Sequence, residues 1–143
     1  MKTFVLGFVI TVVCIATVHA ETADSGSTKG VAASADAVKP LLIGDDVPGV
    51  TLKTADGVSV ELERTVAEQP AVLIFYRGGW CPYCNRHLSE IQTVEAELTD
   101  MGYQLLAISP DKPSKLRRTG KKQELGYTLL SDSAMTAAKA FGI

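Results

Sequence analysis

Cysteine is scarce in this chain: its 143 residues hold three, Cys14, Cys81 and Cys84. A small exported domain stapled by disulfides is thereby excluded, because such frameworks need several cysteines spread along the sequence. Charge of one sign is also lacking. The 14 Lys and Arg stand against 16 Asp and Glu, a formal net charge of −2, so no global field favours nucleic acid or an anionic membrane. Aromatic residues make up 6%, too few to interleave with basic residues as in single-strand binders. No repeat period is found. The longest apolar run, Phe4 to Val18, falls short of the ~20 residues that span a bilayer. What remains is ordinary globular composition, 46% hydrophobic and 21% charged, in a length that suits one domain.

The first twenty residues read as a secretory signal peptide. Lys2 is followed by the apolar run and then by Val18-His19-Ala20, small residues suited to cleavage. Val13 is bulky where a lipoprotein signal needs a small residue, so Cys14 is expected to leave with the signal. The mature protein is expected to be exported, periplasmic or secreted, with no stable membrane span after cleavage. Residues 21–39 are small and polar and read as a flexible linker. The folded domain is expected over residues 40–143.

Within that domain, strand and helix patterns alternate. Val50–Lys53 and Val58–Leu62 flank Asp56-Gly57, a hairpin signal. Ala71–Tyr76 is a continuous apolar run, expected as a central strand buried on both faces. Residues 82–99 carry Leu88, Ile91 and Leu98 at helical spacing, with Gly102 as a stop. Tyr103–Ser109 and Tyr127–Leu130 read as strands. Ser114–Gln123 reads as a basic helix interrupted by Gly120. Asp132–Phe141 reads as an Ala-rich helix capped by Asp132 or Ser133. The alternation predicts an α/β layer fold with parallel strands.

Chemistry concentrates in Arg77-Gly78-Gly79-Trp80-Cys81-Pro82-Tyr83-Cys84. A strand ends, two glycines turn the backbone, and Cys81 lands at the start of a helix. Pro82 occupies the first helical position, where its missing N–H costs nothing. Free N–H groups and the positive helix end favour a Cys81 thiolate. Cys84, one turn on, can attack a sulfur species formed on Cys81 and close a disulfide. A bridge across so short a loop would add little loop entropy, so the pair suits chemistry better than stapling. Arg77 could add positive charge near the thiolate. Trp80 reads as a packing residue over Cys81, and Tyr83 as part of a partner-binding surface.

The segment FYRGGWCPYCNRHLSEIQ resembles the active site of the peroxiredoxin-like branch of the AhpC/TSA family, in the thioredoxin-like superfamily. LLIGDDVPGVTLKTADGVSVEL, LLAISPDKPSKL and TLLSDSAMTAAKAFGI resemble its hairpin, its next strand and turn, and its later strand and helix. The Cys-Pro-Tyr-Cys tetrad is also that of glutaredoxins. The resemblance implies a thioredoxin-like sheet with flanking helices. It implies a thiol-dependent peroxidase acting on hydroperoxides, with Cys81 and Cys84 catalytic and an external dithiol as reductant, a thioredoxin-like protein or glutathione. Arg77 and Gly78 stand where the family has a hydroxyl-bearing Thr near its peroxidatic Cys. The family also continues beyond the equivalent of Ile143. The chain is therefore expected to be a truncated member without the C-terminal strands and helix, leaving residues 71–76 with an unpaired edge.

Two alternatives stay open. One is thiol–disulfide exchange on a disulfide substrate by the same cysteines. The other is a metal or iron–sulfur module using Cys81, Cys84 and His87, although a closed zinc site needs four ligands. No cofactor, metal or nucleic-acid partner is expected. The basic run Lys112, Lys115, Arg117, Arg118, Lys121 and Lys122 reads as a solvated helix face.

Overall fold

The computed structural model describes residues 34–143. The expected signal peptide, Cys14 and most of the linker lie outside the described residues. After a short 3-10 turn at Ala35–Ala37, strands β1 (Thr51–Thr54) and β2 (Ser59–Glu61) form the expected hairpin. Gly57 turns it at φ 85°, and the Thr54 hydroxyl accepts from the Asp56 and Val58 N–H groups. Helix α1 (Leu62–Glu68) follows directly, where the sequence reading had continued the strand to Leu62. Leu62 is fully buried beneath it.

Strand β3 (Ala71–Phe75) leads to α2 (Pro82–Gln92) and α3 (Glu95–Asp100). These are two helices where one was expected over 82–99. The Thr93 hydroxyl and N–H both donate to the Glu90 carbonyl, and the Val94 N–H reaches back to Ile91. That tightened turn leaves Val94 non-helical, at φ −108° and ψ 2°. Adjacent β-branched residues favour such a break. Gly102, at φ 87°, ends α3 as expected.

Strand β4 (Gln104–Ser109), α4 (Pro113–Gln123), β5 (Thr128–Ser131) and α5 (Thr136–Phe141) complete the order. Helix α4 runs unbroken through Gly120, contrary to expectation. A Cβ there would meet only Leu129 Cδ1, at 3.4 Å, an ordinary van der Waals contact, so neither space nor backbone conformation breaks the helix at Gly120.

The sheet order is β2-β1-β5-β4-β3, with β3, β4 and β5 parallel and β1 antiparallel to β2 and β5. Alternate residues of β4 serve opposite faces. Leu105 and Ala107 join Tyr76, Leu88, Leu116, Tyr127 and Leu129 on one side. Leu106 and Ile108 join Leu52, Leu62, Leu130 and Ala137 on the other. Strand β3 is an edge strand among the described residues, each residue half-buried, which agrees with the unpaired edge that the resemblance implied and corrects the reading of its apolar run as a central strand. Its apolar run reflects layers on both faces of the sheet, because Val72 and Ile74 pack into one core and Leu73 and Phe75 into the other.

Asp132 ties the end of β5 to α5. Its buried carboxylate accepts from the Thr136 N–H (2.7 Å) and hydroxyl (3.0 Å), and from the Ala137 (3.2 Å) and Ala138 (2.9 Å) N–H groups. It thus acts as the expected cap although the helix begins only at Thr136. Asp132→Ala orphans these donors and should cost about 2–4 kcal/mol. A lowered urea midpoint at unchanged slope is the expected readout; a parental midpoint would contradict it.

Candidate active site

The site forms where β3 meets α2. The Tyr76 N–H donates to the Ile108 carbonyl at 2.9 Å, extending the ladder by one bond. The chain then turns at Gly78, whose φ of 134° lies in a region side chains rarely adopt. A Cβ there would also crowd the Trp80 indole and the Asp111 carboxylate at 2.9–3.0 Å. Gly79 follows with its Cα against Thr119 of α4, leaving no room for a side chain. The Cys81 N–H then donates to the Gly78 carbonyl at 3.1 Å, which closes the loop.

Cys81 is the N-cap of α2 and Pro82 its first residue. The Cys81 sulfur accepts from the Cys84 N–H at 3.4 Å, within the range for sulfur, and takes the place of a capping oxygen. Both thiols are free, Cys81 buried at 4% exposure and Cys84 half-buried. Hydrogen bonding from the Cys84 thiol, then from the Cys84 N–H, holds the Cys81 thiol below its usual range. The Tyr83 N–H and the Arg77 charge add to this, and burial opposes it. Cys84 shifts the other way: burial pushes it up, and the neighbouring Cys81 adds to the rise. The two shifts are opposite in direction, so Cys81 ionises before Cys84.

The surrounding shell is built from distant segments. Asp111, buried at the carboxyl end of β4, accepts the Gly79 N–H on Oδ2 at 2.7 Å. Its Oδ1 lies 3.9 Å from the Lys115 ammonium. Asn85 donates its amide to the Gly79 carbonyl at 2.9 Å, and its buried Oδ1 has no partner among the described residues. Gly79 is thus held from both sides. The Arg77 guanidinium lies 4.7 Å over the Trp80 ring, a cation–π contact. Burial raises the pKa of the Tyr76 hydroxyl, hydrogen bonding with the Ser109 side chain opposes that rise, and the Asp111 and Cys84 charges add to it.

Arg77, Trp80, Cys81, Pro82, Tyr83 and Cys84 lie in the corner where β3 gives way to α2. Trp80 differs in role. It is 62% exposed and stacked by Arg77, so it belongs to the surface and not to the core. Tyr83 is exposed at 86%. His87 points to solvent, and among the described residues no three His, Cys, Asp or Glu side chains are grouped as a metal site. Sequence reasoning missed Asp111, Asn85 and Thr119. An acidic residue two positions past a buried strand was the available signal for Asp111. Nothing local marks Thr119.

Comparison with known proteins agrees with this architecture. The AhpC/TSA family profile matches residues 43–143. The chain is 34% identical over 106 residues to peroxiredoxin Bcp of Escherichia coli, covering 74% of this chain and 67% of that protein. It is 32% identical over 106 residues to a putative peroxiredoxin of Haemophilus influenzae, covering 74% and 68%. The crystal structure of peroxidoxin BcpB from Mycobacterium tuberculosis superposes with a TM-score of 0.66 at 27% identity, covering 70% of this chain and 65% of that one. The chain thus spans about two thirds of the length of these relatives. With a half-sheet of three parallel strands, a glycine turn and a cysteine capping the following helix, the chain belongs to the AhpC/TSA family, as a peroxiredoxin-like member of the thioredoxin superfamily.

Proposed function

We propose that the protein is an exported thiol-dependent peroxidase in which Cys81 is the nucleophile and Cys84 the resolving thiol. The observation that carries this reading is the helix-cap geometry, with the Cys84 N–H on the Cys81 sulfur and the two thiols shifted in opposite directions. The Cys81 thiolate attacks one oxygen of a hydroperoxide. The O–O bond breaks, the distal fragment leaves as an alcohol or water after taking a proton, and Cys81 becomes a sulfenic acid. Cys84 attacks that sulfur and expels water, forming the disulfide. External thiols, two per disulfide, then return Cys81 and Cys84 to thiols through a mixed disulfide. Relatives named peroxiredoxin support the peroxide half of this cycle.

The test is oxidation of the reduced protein by hydrogen peroxide. Loss of both thiols with formation of an intrachain Cys81–Cys84 disulfide, seen by peptide mass, is expected. Thiols that persist under excess peroxide would refute it. The pH dependence follows from the shifts. A depressed pKa keeps Cys81 ionised, and so reactive, below the usual thiol value of about 8.5; the raised Cys84 ionises only above it. Alkylation by iodoacetamide at neutral pH should therefore modify Cys81 first. Faster labelling of Cys84 would reverse the assignment.

A second reading, thiol–disulfide exchange, is favoured by the two exposed aromatic side chains, Trp80 and Tyr83, that flank Cys81. They offer flat apolar surface to a peptide disulfide. It uses the same cysteines in the same order. Export rests on the Lys2-to-Ala20 pattern, and a mature N-terminus at Glu21 is the expected product of processing. N-terminal sequencing that finds Met1 retained would count against it.

A further inference from the structure

A groove of about 250 Å³ lies beside the cysteine loop, between that loop and α4. Gly79, Trp80 and Asn85 form one wall, and Lys115, Arg118 and Lys122 of α4 form the other. These three cations stand three or four residues apart, which places them on one helix face. They face a single carboxylate, Asp111, whose oxygens are already engaged by the Gly79 N–H and Lys115. Arg118 and Lys122 are in no ion pair among the described residues. Arg117, by contrast, points away and is satisfied by Asp56 and the Ala55 carbonyl. Two cations free of ion pairs thus line a groove that is also lined by Trp80, the residue next to Cys81 in the chain.

We propose that this groove binds a small acidic peptide thiol, of which glutathione is the type, as the reductant of the Cys81–Cys84 disulfide. The ligand's carboxylates pair with Arg118 and Lys122. The ligand's thiolate attacks the Cys81 sulfur. The S–S bond breaks, Cys84 leaves and takes up a proton, and a mixed disulfide forms on Cys81. A second thiol attacks the ligand sulfur of that mixed disulfide and releases the oxidised ligand and the Cys81 thiolate. Two electrons pass from two thiols to one protein disulfide. The basic face of α4 acquires a function by this assignment, which rests on the two-cysteine cycle above.

Trp80 is the chain's one tryptophan and lines the groove, so its emission reports binding directly. S-methylglutathione, whose sulfur is blocked, should change that emission saturably, and added salt should weaken the effect. Arg118→Glu with Lys122→Glu should weaken binding by about tenfold or more, and Cys81→Ser with Cys84→Ser should leave it intact. In stopped flow, the charge-reversed variant's disulfide should be reduced about tenfold more slowly by glutathione, and at the parental rate by uncharged 2-mercaptoethanol. Absence of saturable binding overturns the proposal, as does binding indifferent to charge reversal, or equal slowing with both thiols. Binding that persists when peroxide forms no disulfide supports the groove and overturns the cysteine cycle instead.

Discussion

Cys81→Ser is expected to abolish peroxide turnover, by about a thousandfold or more, while Cys84→Ser completes one half-cycle and stops. The asymmetry follows from the helix start. Cys81 caps α2 and accepts the Cys84 N–H at 3.4 Å, and a serine hydroxyl there can still cap but cannot attack peroxide. The fold should therefore survive the substitution, and urea midpoints should stay near the parental value. Cys84 is the half-buried thiol with the raised pKa, so it contributes only after Cys81 has been oxidised. Its removal should leave a sulfenic acid on Cys81, trappable by dimedone and visible by mass. Turnover retained by Cys81→Ser, or an inert Cys81 in Cys84→Ser, would each contradict the assigned order.

Gly79→Ala should lose both stability and activity. The added methyl lands on the Thr119 side chain, and Gly79 cannot retreat, because Asp111 holds its N–H and Asn85 its carbonyl. Forced overpacking of this kind costs about 1–3 kcal/mol. The displaced loop carries Cys81 off the end of α2, so thiolate reactivity should fall with the midpoint. Thr119→Ala removes the atoms most crowded by that methyl and should recover much of both losses in the double variant. A double-mutant cycle on urea midpoint and iodoacetamide rate measures the coupling. Strict additivity of the two substitutions would show that the contact does not position the loop.

How much of the site was legible depends on the range of each interaction. The Cys81 cap, Pro82 at the first helical position and the Cys84 N–H are contacts within one turn, so their residue types and spacing already specify them. The Asp56-Gly57 hairpin and the Gly102 stop are local in the same sense. The break between α2 and α3 was also local, but it turns on whether Thr93 bonds back to Glu90. Apolar periodicity is blind to that choice, since Leu88, Ile91 and Leu98 reach the core either way.

By itself the sequence determined that this is an α/β domain with a two-cysteine helix start, because alternation, turn glycines and short-range capping are written in neighbouring residues. Only the tertiary structure decided what stands around those cysteines. Asp111 meets Gly79 across 32 residues because β4 pairs parallel to β3 and ends beside it. Arg118 and Lys122 face the cysteine loop while Arg117 turns to the hairpin, because Leu116 and Thr119 anchor one side of α4 on the core. The apolar run of β3 likewise reports helices on both faces of the sheet and is silent about lateral neighbours. Side-chain pattern encodes what lies above and below a strand. Its order in the sheet is set by backbone hydrogen bonds, which are the same for every residue but proline.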